Sequence, residues 1–177
     1  MKPSSSSLRW ASALLGLAAL AASGSALAAK DVVLAIGYQP ETLDPYNTNT
    51  TITTAVTKTF YEGLFQFDKD LKVQNVLAEG YEVSKDGLVY TIKLRSGVKF
   101  HSGNELTAED VIWSLQRVLK LNLALASTWK AYGFSADNVE QQIRATDDRT
   151  VVIELARPTD PMLVLNTLAT SPSAFIL

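Results

Sequence analysis

The chain contains no cysteine, which excludes disulfides, thiolate metal sites and cysteine nucleophiles. His101 is the only histidine, and a single imidazole without a second histidine or a cysteine cannot build a zinc site. Neither a dinucleotide-binding glycine motif nor a phosphate-binding loop occurs. No serine lies in the strand–turn–helix setting of a hydrolase nucleophile. The sequence therefore predicts no metal and no cofactor, and it favours a protein that is not an enzyme.

The chain also lacks an apolar run long enough to cross a membrane. Residues 10–22 are almost entirely apolar, but this run of about 13 residues is shorter than the roughly 20 that a transmembrane helix requires. Lys2 and Arg9 precede it, and Ala26-Leu27-Ala28 follow with small residues where signal peptidase cleaves. We therefore predict that residues 1–28 are a cleavable signal peptide rather than a membrane anchor, and that the mature protein is periplasmic.

Positive charge is scarce in the predicted mature chain. The sequence has 16 lysines and arginines against 18 aspartates and glutamates, and the signal peptide takes two of the basic residues with it. The remaining 14 basic and 18 acidic residues give a net charge of −4. This balance offers no electrostatic reason to bind nucleic acid or an anionic membrane surface.

The first part of the mature chain predicts a strand, a loop and a helix. Residues 31–37 form a short apolar run that ends in glycine, which is typical of a buried strand. Residues 38–49 hold two prolines and predict a loop. From Thr51 to about Gly63 apolar residues recur every four positions, which indicates a helix. The recurring residues are Ile52, Val56 and Phe60.

The next segments alternate between apolar and polar residues and predict antiparallel strands. Residues 64–68 form one such strand. Asp86-Gly87 suits a hairpin turn that joins a strand at 81–83 to one at 88–94. Residues 139–145 and 151–155 predict a further pair around a turn at 147–149. In the strand at 88–94 one face holds Leu88, Tyr90, Ile92 and Leu94.

Two more helices are predicted. One begins at Thr107, whose hydroxyl can accept from a first-turn N–H, and its apolar residues fall on a single helical face. The other opens at Pro161 and runs through Leu168. Residues 122–138 are predicted to be irregular. Helices and hairpins without a regular βαβ alternation indicate a mixed α and β protein of the α+β class.

Residues 77–119 resemble the signature stretch of the extracellular solute-binding protein family 5, the periplasmic peptide- and nickel-binding components of ABC importers. The flanking segments Thr42-Leu43-Asp44-Pro45, 60–64 and 147–158 resemble further parts of that family, so the resemblance covers nearly all of residues 31–170. The matching residues are Ala78-Glu79, Tyr81, Ser84, Asp86-Gly87, Leu94-Arg95, Gly97 to His101, Gly103 and Thr107 to Val111.

The resemblance implies an incomplete periplasmic binding protein of the type II-like fold. Residues 29–61 would be the first segment of ligand-binding lobe I, and residues 62–170 an accessory inserted domain that could fold alone. Family members are several-fold longer, so residues 171–177 would be a truncated continuation of the chain. The protein is expected to be a monomer that closes on its ligand by a hinge motion and delivers it to ABC permease subunits.

The resemblance also implies where a ligand would contact the chain. In peptide-binding relatives the segment after Leu-Asp-Pro meets the peptide largely through its main chain, and here that segment is Asn49, Thr50 and Thr51. The alternative is that Asn49 or Thr50 simply caps the following helix, and both roles can coexist. Trp129 and Tyr132 belong to a stretch that reaches the cleft in relatives, although ordinary packing under a loop is the favoured explanation.

Three functions stay open at this point. The first is a binding protein that captures a di- or oligopeptide, with a nickel chelate or a sugar as other ligands of the family. The second is a truncated product or interaction module without ligand binding. The third is a secreted hydrolase, which the missing nucleophile motifs disfavour.

Overall fold

The structure, a computed structural model, describes residues 33, 35, 37, 39–170 and 175–177. The predicted signal peptide at 1–28 lies outside these residues, as does most of the strand predicted at 31–37. The chain divides into two units after Gly37, and every helix and strand of the described residues lies in the second unit. Residues 39–50 contain no helix or strand, which confirms the predicted loop.

Five helices and six strands are found in the described part of the chain. They are α1 (Thr51–Thr57), β1 (Phe65–Phe67), β2 (Val73–Asn75), β3 (Ala78–Val83), β4 (Val89–Leu94), α2 (Ala108–Lys120), α3 (Ala126–Lys130), α4 (Val139–Gln142), β5 (Ile143–Asp147), β6 (Thr150–Glu154) and α5 (Pro161–Ala169).

The strands build two antiparallel sheets. β1 and β2 form a two-stranded ribbon, and the other four form a sheet in the order β3-β4-β6-β5. The predicted hairpin between β3 and β4 is confirmed, and Gly87 in its turn has a φ of 73°, a conformation that glycine adopts without strain. β4 also pairs with β6, with Tyr90 opposite Ile153.

The core lies between one face of the four-stranded sheet and α2. Tyr90, Ile92 and Leu94 of β4 are fully buried, which confirms the face predicted from the alternation. All five residues of the predicted apolar face of α2 are buried, and the helix packs against β5 and β6. These α2 residues are Val111, Ile112, Leu115, Val118 and Leu119.

The start of α2 is fixed as the sequence indicated, at Thr107. The carboxylate of Asp110 accepts from both the backbone N–H and the hydroxyl of Thr107, each at 2.8 Å. The hydroxyl thus donates to a first-turn side chain. This contact satisfies a donor at the helix start and places negative charge at the positive end of the helix dipole.

The helix α1 is shorter than predicted, and its apolar stripe does not face the core. Ile52 and Phe60 are 42% and 39% exposed, whereas Thr53 and Thr57 are fully buried. Burial of these threonines costs little because both hydroxyls are satisfied locally. The Thr53 hydroxyl accepts from that of Thr50 at 2.9 Å, and the Thr57 hydroxyl donates to the Thr54 carbonyl at 3.1 Å.

Two sequence predictions in the segment 122–145 are wrong. Residues 126–130, predicted to be irregular, form the short helix α3. Residues 139–142, predicted as the start of a strand, form the helical turn α4, and the strand β5 begins only at Ile143. The helical turn follows Asn138, whose side chain holds the preceding turn by accepting from the Ser135 N–H at 2.7 Å and donating to the Gly133 carbonyl at 3.0 Å.

The last helix, α5, confirms the prediction that Pro161 opens it. Asp160 precedes the proline, and its carboxylate accepts from the N–H of Met162 at 2.9 Å. The helix packs on the ribbon of β1 and β2. In the described part of the chain no helix combines the length and apolar character needed to span a bilayer.

Candidate functional site

The loop that precedes α1 is anchored to α2 through Asp44. Within the loop, Asp44 accepts from the Tyr46 N–H at 3.1 Å and its own N–H donates to the Thr42 hydroxyl at 3.0 Å. Its two carboxylate oxygens also accept from the two terminal nitrogens of Arg117, at 3.2 and 2.6 Å. Both side chains are about three-quarters buried, with 22% and 24% exposure. The loop is therefore held to the α2 surface by a bidentate ion pair.

Tyr46 forms a second anchor for the same loop. The side chain is fully buried, and its hydroxyl donates to the carbonyl of Phe175. Its own carbonyl accepts from the N–H of Leu125 at 3.3 Å. Burial raises the pKa of the Tyr46 phenol far above its usual value of 10.0, so the hydroxyl stays protonated and remains a donor at all physiological pH values.

Threonine hydroxyls connect the end of the loop to α1. Thr48 is buried, and its hydroxyl accepts from the Thr50 N–H at 3.2 Å. The Thr48 and Thr50 hydroxyls also lie 3.2 Å apart, and Thr50 donates onward to Thr53. This series of contacts gives residues 48–53 a defined conformation before any ligand arrives.

The three predicted ligand-contacting loop residues lie at the end of this anchored segment. Asn49 and Thr51 are exposed and Thr50 is half-buried. Thr50 has extended backbone angles, and its carbonyl accepts the N–H of Thr54 at 3.0 Å, so it is the residue that caps α1. The alternative that Thr50 starts α1 is thus confirmed, although its hydroxyl makes no capping hydrogen bond to the helix, and the ligand role of residues 49–51 stays a prediction.

The other two predicted ligand residues are engaged within the protein. Trp129 on α3 is 2% exposed, and its ring meets Phe134 edge-on with centroids 5.7 Å apart. The Tyr132 hydroxyl lies 2.7 Å from that of Thr167 and donates to the Leu163 carbonyl at 3.1 Å, both on α5. Both side chains therefore have packing roles within the fold, and their ligand role also stays a prediction.

Sequence reasoning missed Arg117, the partner of Asp44. The Leu-Asp-Pro motif drew attention to Asp44, but its partner lies 73 positions away. One local signal was available, because Trp113 and Arg117 are four residues apart on one helix face. The guanidinium of Arg117 lies 5.8 Å from the centre of the Trp113 ring, and Trp113 is 57% exposed.

Breaking the Asp44–Arg117 pair is expected to destabilise the protein. Asp44→Asn should lower the free energy of unfolding by about 1–2 kcal/mol, which is between the values for exposed and fully buried ion pairs. Urea unfolding of Asp44→Asn, Arg117→Gln and the double variant measures the coupling. A double variant whose loss equals the sum of the two single losses would contradict the direct interaction. The exposed pair Lys69–Asp70 is the matched control and should show no coupling.

In the described residues no group of histidine, aspartate and glutamate side chains is arranged to hold a metal ion. The chemistry available at the anchored loop is hydrogen bonding by main chain and hydroxyl groups. Such groups suit the recognition of a polar, uncharged segment such as a peptide backbone.

Comparison with known proteins places this geometry among solute-binding proteins. The sequence model described as "Bacterial extracellular solute-binding proteins, family 5 Middle" matches residues 72–176. The glutathione-binding protein GsiB of Salmonella typhi is 48% identical over 150 residues, which cover 85% of this chain and 28% of that protein. The chain therefore spans little more than a quarter of the length of this relative.

Solved structures agree with the fold. The substrate-binding domain of an oligopeptide ABC transporter from Bacillus anthracis matches with a TM-score of 0.66 and 30% identity over 76% of this chain and 27% of that chain. The Haemophilus influenzae OppA complex with the peptide RPPGFSPFR matches with a TM-score of 0.70 and 26% identity over 80% of this chain and 29% of that chain. The predicted fold class, an incomplete binding-protein fold with mixed helices and strands, is confirmed.

Proposed function

Because the chain belongs to the bacterial extracellular solute-binding proteins of family 5, we propose that it serves the capture of short peptides for an ABC import system. The family is defined by binding rather than by catalysis, in line with the missing nucleophile motifs. Ligand, permease partner and monomeric state are part of this proposal, because the chain spans 28% of the relative it matches at 48% identity. The family's extracellular description supports a periplasmic location.

A peptide ligand is supported by what the relatives are named for. One relative is named for glutathione, which is a tripeptide, and one solved neighbour holds a nine-residue peptide. A peptide offers a backbone N–H and C=O at every residue. Main-chain groups of residues 49–51 would bind it as an added strand would, and the exposed side chains there leave room for that approach.

The main support for the proposal is that the loop before α1 is held in place by contacts within the protein, without a ligand. Asp44 and Tyr46 fix its first half, and the threonine hydroxyls fix residues 48–53. A loop that is already in its binding conformation loses little entropy when a ligand arrives. The described structure therefore supplies the rigid support that main-chain recognition requires.

The domain division remains part of the proposal. Residues 29–61 would belong to ligand lobe I and residues 62–170 to the accessory domain, with residues 171–177 continuing the chain. The sheet β3-β4-β6-β5 and α2 lie entirely in the second of these ranges. Their shared core supports an accessory domain with its own hydrophobic centre.

The test is calorimetric titration of glutathione and of a di- and tripeptide library into three proteins. Thr51→Pro removes one backbone donor at the first position of α1, where proline is well tolerated, and Thr50 already has the extended angles that precede proline. Thr51→Ala keeps the donor and is the matched control. We expect saturable heat for the native chain and Thr51→Ala, and about tenfold weaker binding for Thr51→Pro, as for one lost hydrogen bond.

A native chain that gives no saturable heat with any peptide would overturn capture by this chain. The second candidate, a module without ligand binding, would then be favoured. One structural feature is in its favour, since the exposed Ile52 and Phe60 of the α1 region are the kind of apolar side chains that protein interfaces bury.

A further inference from the structure

A cleft of about 360 Å³ lies beyond the C-terminal end of α1. It is bounded on one side by residues 58–62 and on the other by residues 98–101. Its floor is apolar and closed, because the side chains of Leu77, Leu106 and Ile176 are buried beneath it. A volume of this size lies within the range of about 300–1,000 Å³ that is typical of small-molecule sites.

One wall of the cleft is a row of aromatic rings. The centroids of Phe60 and Tyr61 lie 4.8 Å apart, and Tyr61 stacks on Phe175 at 5.9 Å with an interplanar angle of 30°. Phe60 is 39% exposed, so part of its ring faces solvent. Phe100 lines the cleft from the 98–101 side. Phe60 and Tyr61 contact each other, and Tyr61 is supported from behind by Phe175, so this side of the cleft offers a packed apolar surface to a flat or branched apolar group.

Two lysines border this apolar surface. Lys58 and Lys99 line the cleft, and among its described lining residues Glu62 is the one carboxylate. No ion pair within the described residues involves Lys58 or Lys99, whereas Lys69 and Lys120 each pair with a neighbouring acid. The cleft lining therefore carries one more basic than acidic side chain, on a chain whose overall composition is acidic. A cleft of this kind attracts anions and holds them beside an apolar wall.

We propose that the cleft binds a carboxylate carried on an apolar, preferably aromatic, body, such as the C-terminal residue of a short peptide. The carboxylate would lie between the ammonium groups of Lys58 and Lys99, and the apolar body would pack on Phe60 and Phe100. This site is at the opposite end of α1 from residues 49–51. The inference rests on the cleft alone and goes beyond the proposed function.

The experiment is an NMR titration of the ¹⁵N-labelled protein with N-acetyl-L-phenylalanine and, separately, with its C-terminal amide. The two probes share the same apolar body and differ in the carboxylate. We expect saturable shifts of the Phe60, Lys99 and Phe100 amide signals with the acid, and about fivefold weaker binding of the amide, because a charge-assisted contact is lost at an exposed rim.

The variant Lys58→Gln/Lys99→Gln should remove the preference for the acid. The matched control, Lys69→Gln/Lys72→Gln, takes away the same charge from exposed residues outside the cleft and should keep that preference. The inference is overturned if acid and amide bind equally to the native chain, if the shifts lie away from the cleft, or if both double variants lose the preference. Peptide binding at residues 49–51 would shift the Asn49 and Thr51 amide signals instead, so the experiment tests the two proposed sites independently.

Discussion

Replacing Trp129 with alanine is expected to lower the free energy of unfolding by about 3–5 kcal/mol, as for other fully buried large aromatic side chains. Trp129 is 2% exposed and meets the ring of Phe134 edge-on at 5.7 Å, so its removal leaves a large void beneath α3. Urea unfolding followed by circular dichroism measures the change. Trp129→Phe fills much of the void, and it should cost less than half as much.

The same substitution decides between the two roles considered for Trp129. If Trp129 is a packing residue, its substitution lowers the free energy of unfolding, and the folded Trp129→Phe variant should bind peptides as tightly as the native chain. If Trp129 is a ligand residue, its substitution should weaken peptide binding and leave the free energy of unfolding nearly unchanged. If Trp129→Ala has the same urea unfolding midpoint as the native chain but no longer gives heat with peptides, the packing explanation is wrong.

Replacing Gly133 with alanine is expected to lower the free energy of unfolding by about 2–3 kcal/mol, for two separable reasons. Its φ of 91° lies in the region that residues with a Cβ rarely adopt. A Cβ at this position would also lie 2.7 Å from the Cβ of Ala156, which is closer than two non-bonded carbon atoms normally approach. Thermal and urea unfolding of the variant measure the sum of the two effects.

Two further variants separate the backbone strain from the collision. Gly97 has a φ of 72° and open space around it, so Gly97→Ala should cost only the conformational part, about 1 kcal/mol. Adding Ala156→Gly to Gly133→Ala removes the colliding methyl group and should recover the remainder. Equal losses for Gly133→Ala with and without the second change would show that the collision contributes nothing.

The hairpins and α2 were predictable because their sequence patterns are the direct result of burial on one face. Tyr90, Ile92 and Leu94 alternate with polar residues, and the strand can bury them only by facing the core. At α2, likewise, the sequence pattern agrees with the observed helix start at Thr107 and with the buried apolar face. Where local pattern and tertiary packing point in one direction, the sequence is sufficient.

The outcome at α1 and α4 depended on polar groups that periodicity ignores. The buried face of α1 is made of Thr53 and Thr57, which a hydrophobic pattern cannot identify because their burial relies on hydroxyl partners. Residues 139–142 have the alternation of a strand, but they form a helical turn after Asn138, whose side chain accepts from the Ser135 N–H and donates to the Gly133 carbonyl. In both places polar side chains that hydrogen-bond to nearby groups outweigh a weak apolar pattern.

The candidate site was predictable only in part. Asn49, Thr50 and Thr51 could be singled out from a family resemblance, whereas the contacts that hold them depend on residues far away in the chain. Arg117 reaches Asp44 across 73 positions, and no local pattern encodes such a pairing. The cleft is of the same kind, because residues 58–62 and 98–101 come together around it only in the folded state.

The hydrogen bond from Tyr46 to the Phe175 carbonyl joins residues 129 positions apart. The N–H of Ile176 donates to the Glu62 carbonyl at 2.9 Å, and that of Leu177 to the Ser114 hydroxyl at 2.9 Å, so three distant parts of the chain meet at residues 175–177. A ribosome releases Tyr46 long before it makes Phe175. Until both segments are present and folded, water hydrogen-bonds to this phenol, and closure of so long a loop is expected to be a late and slow step of folding.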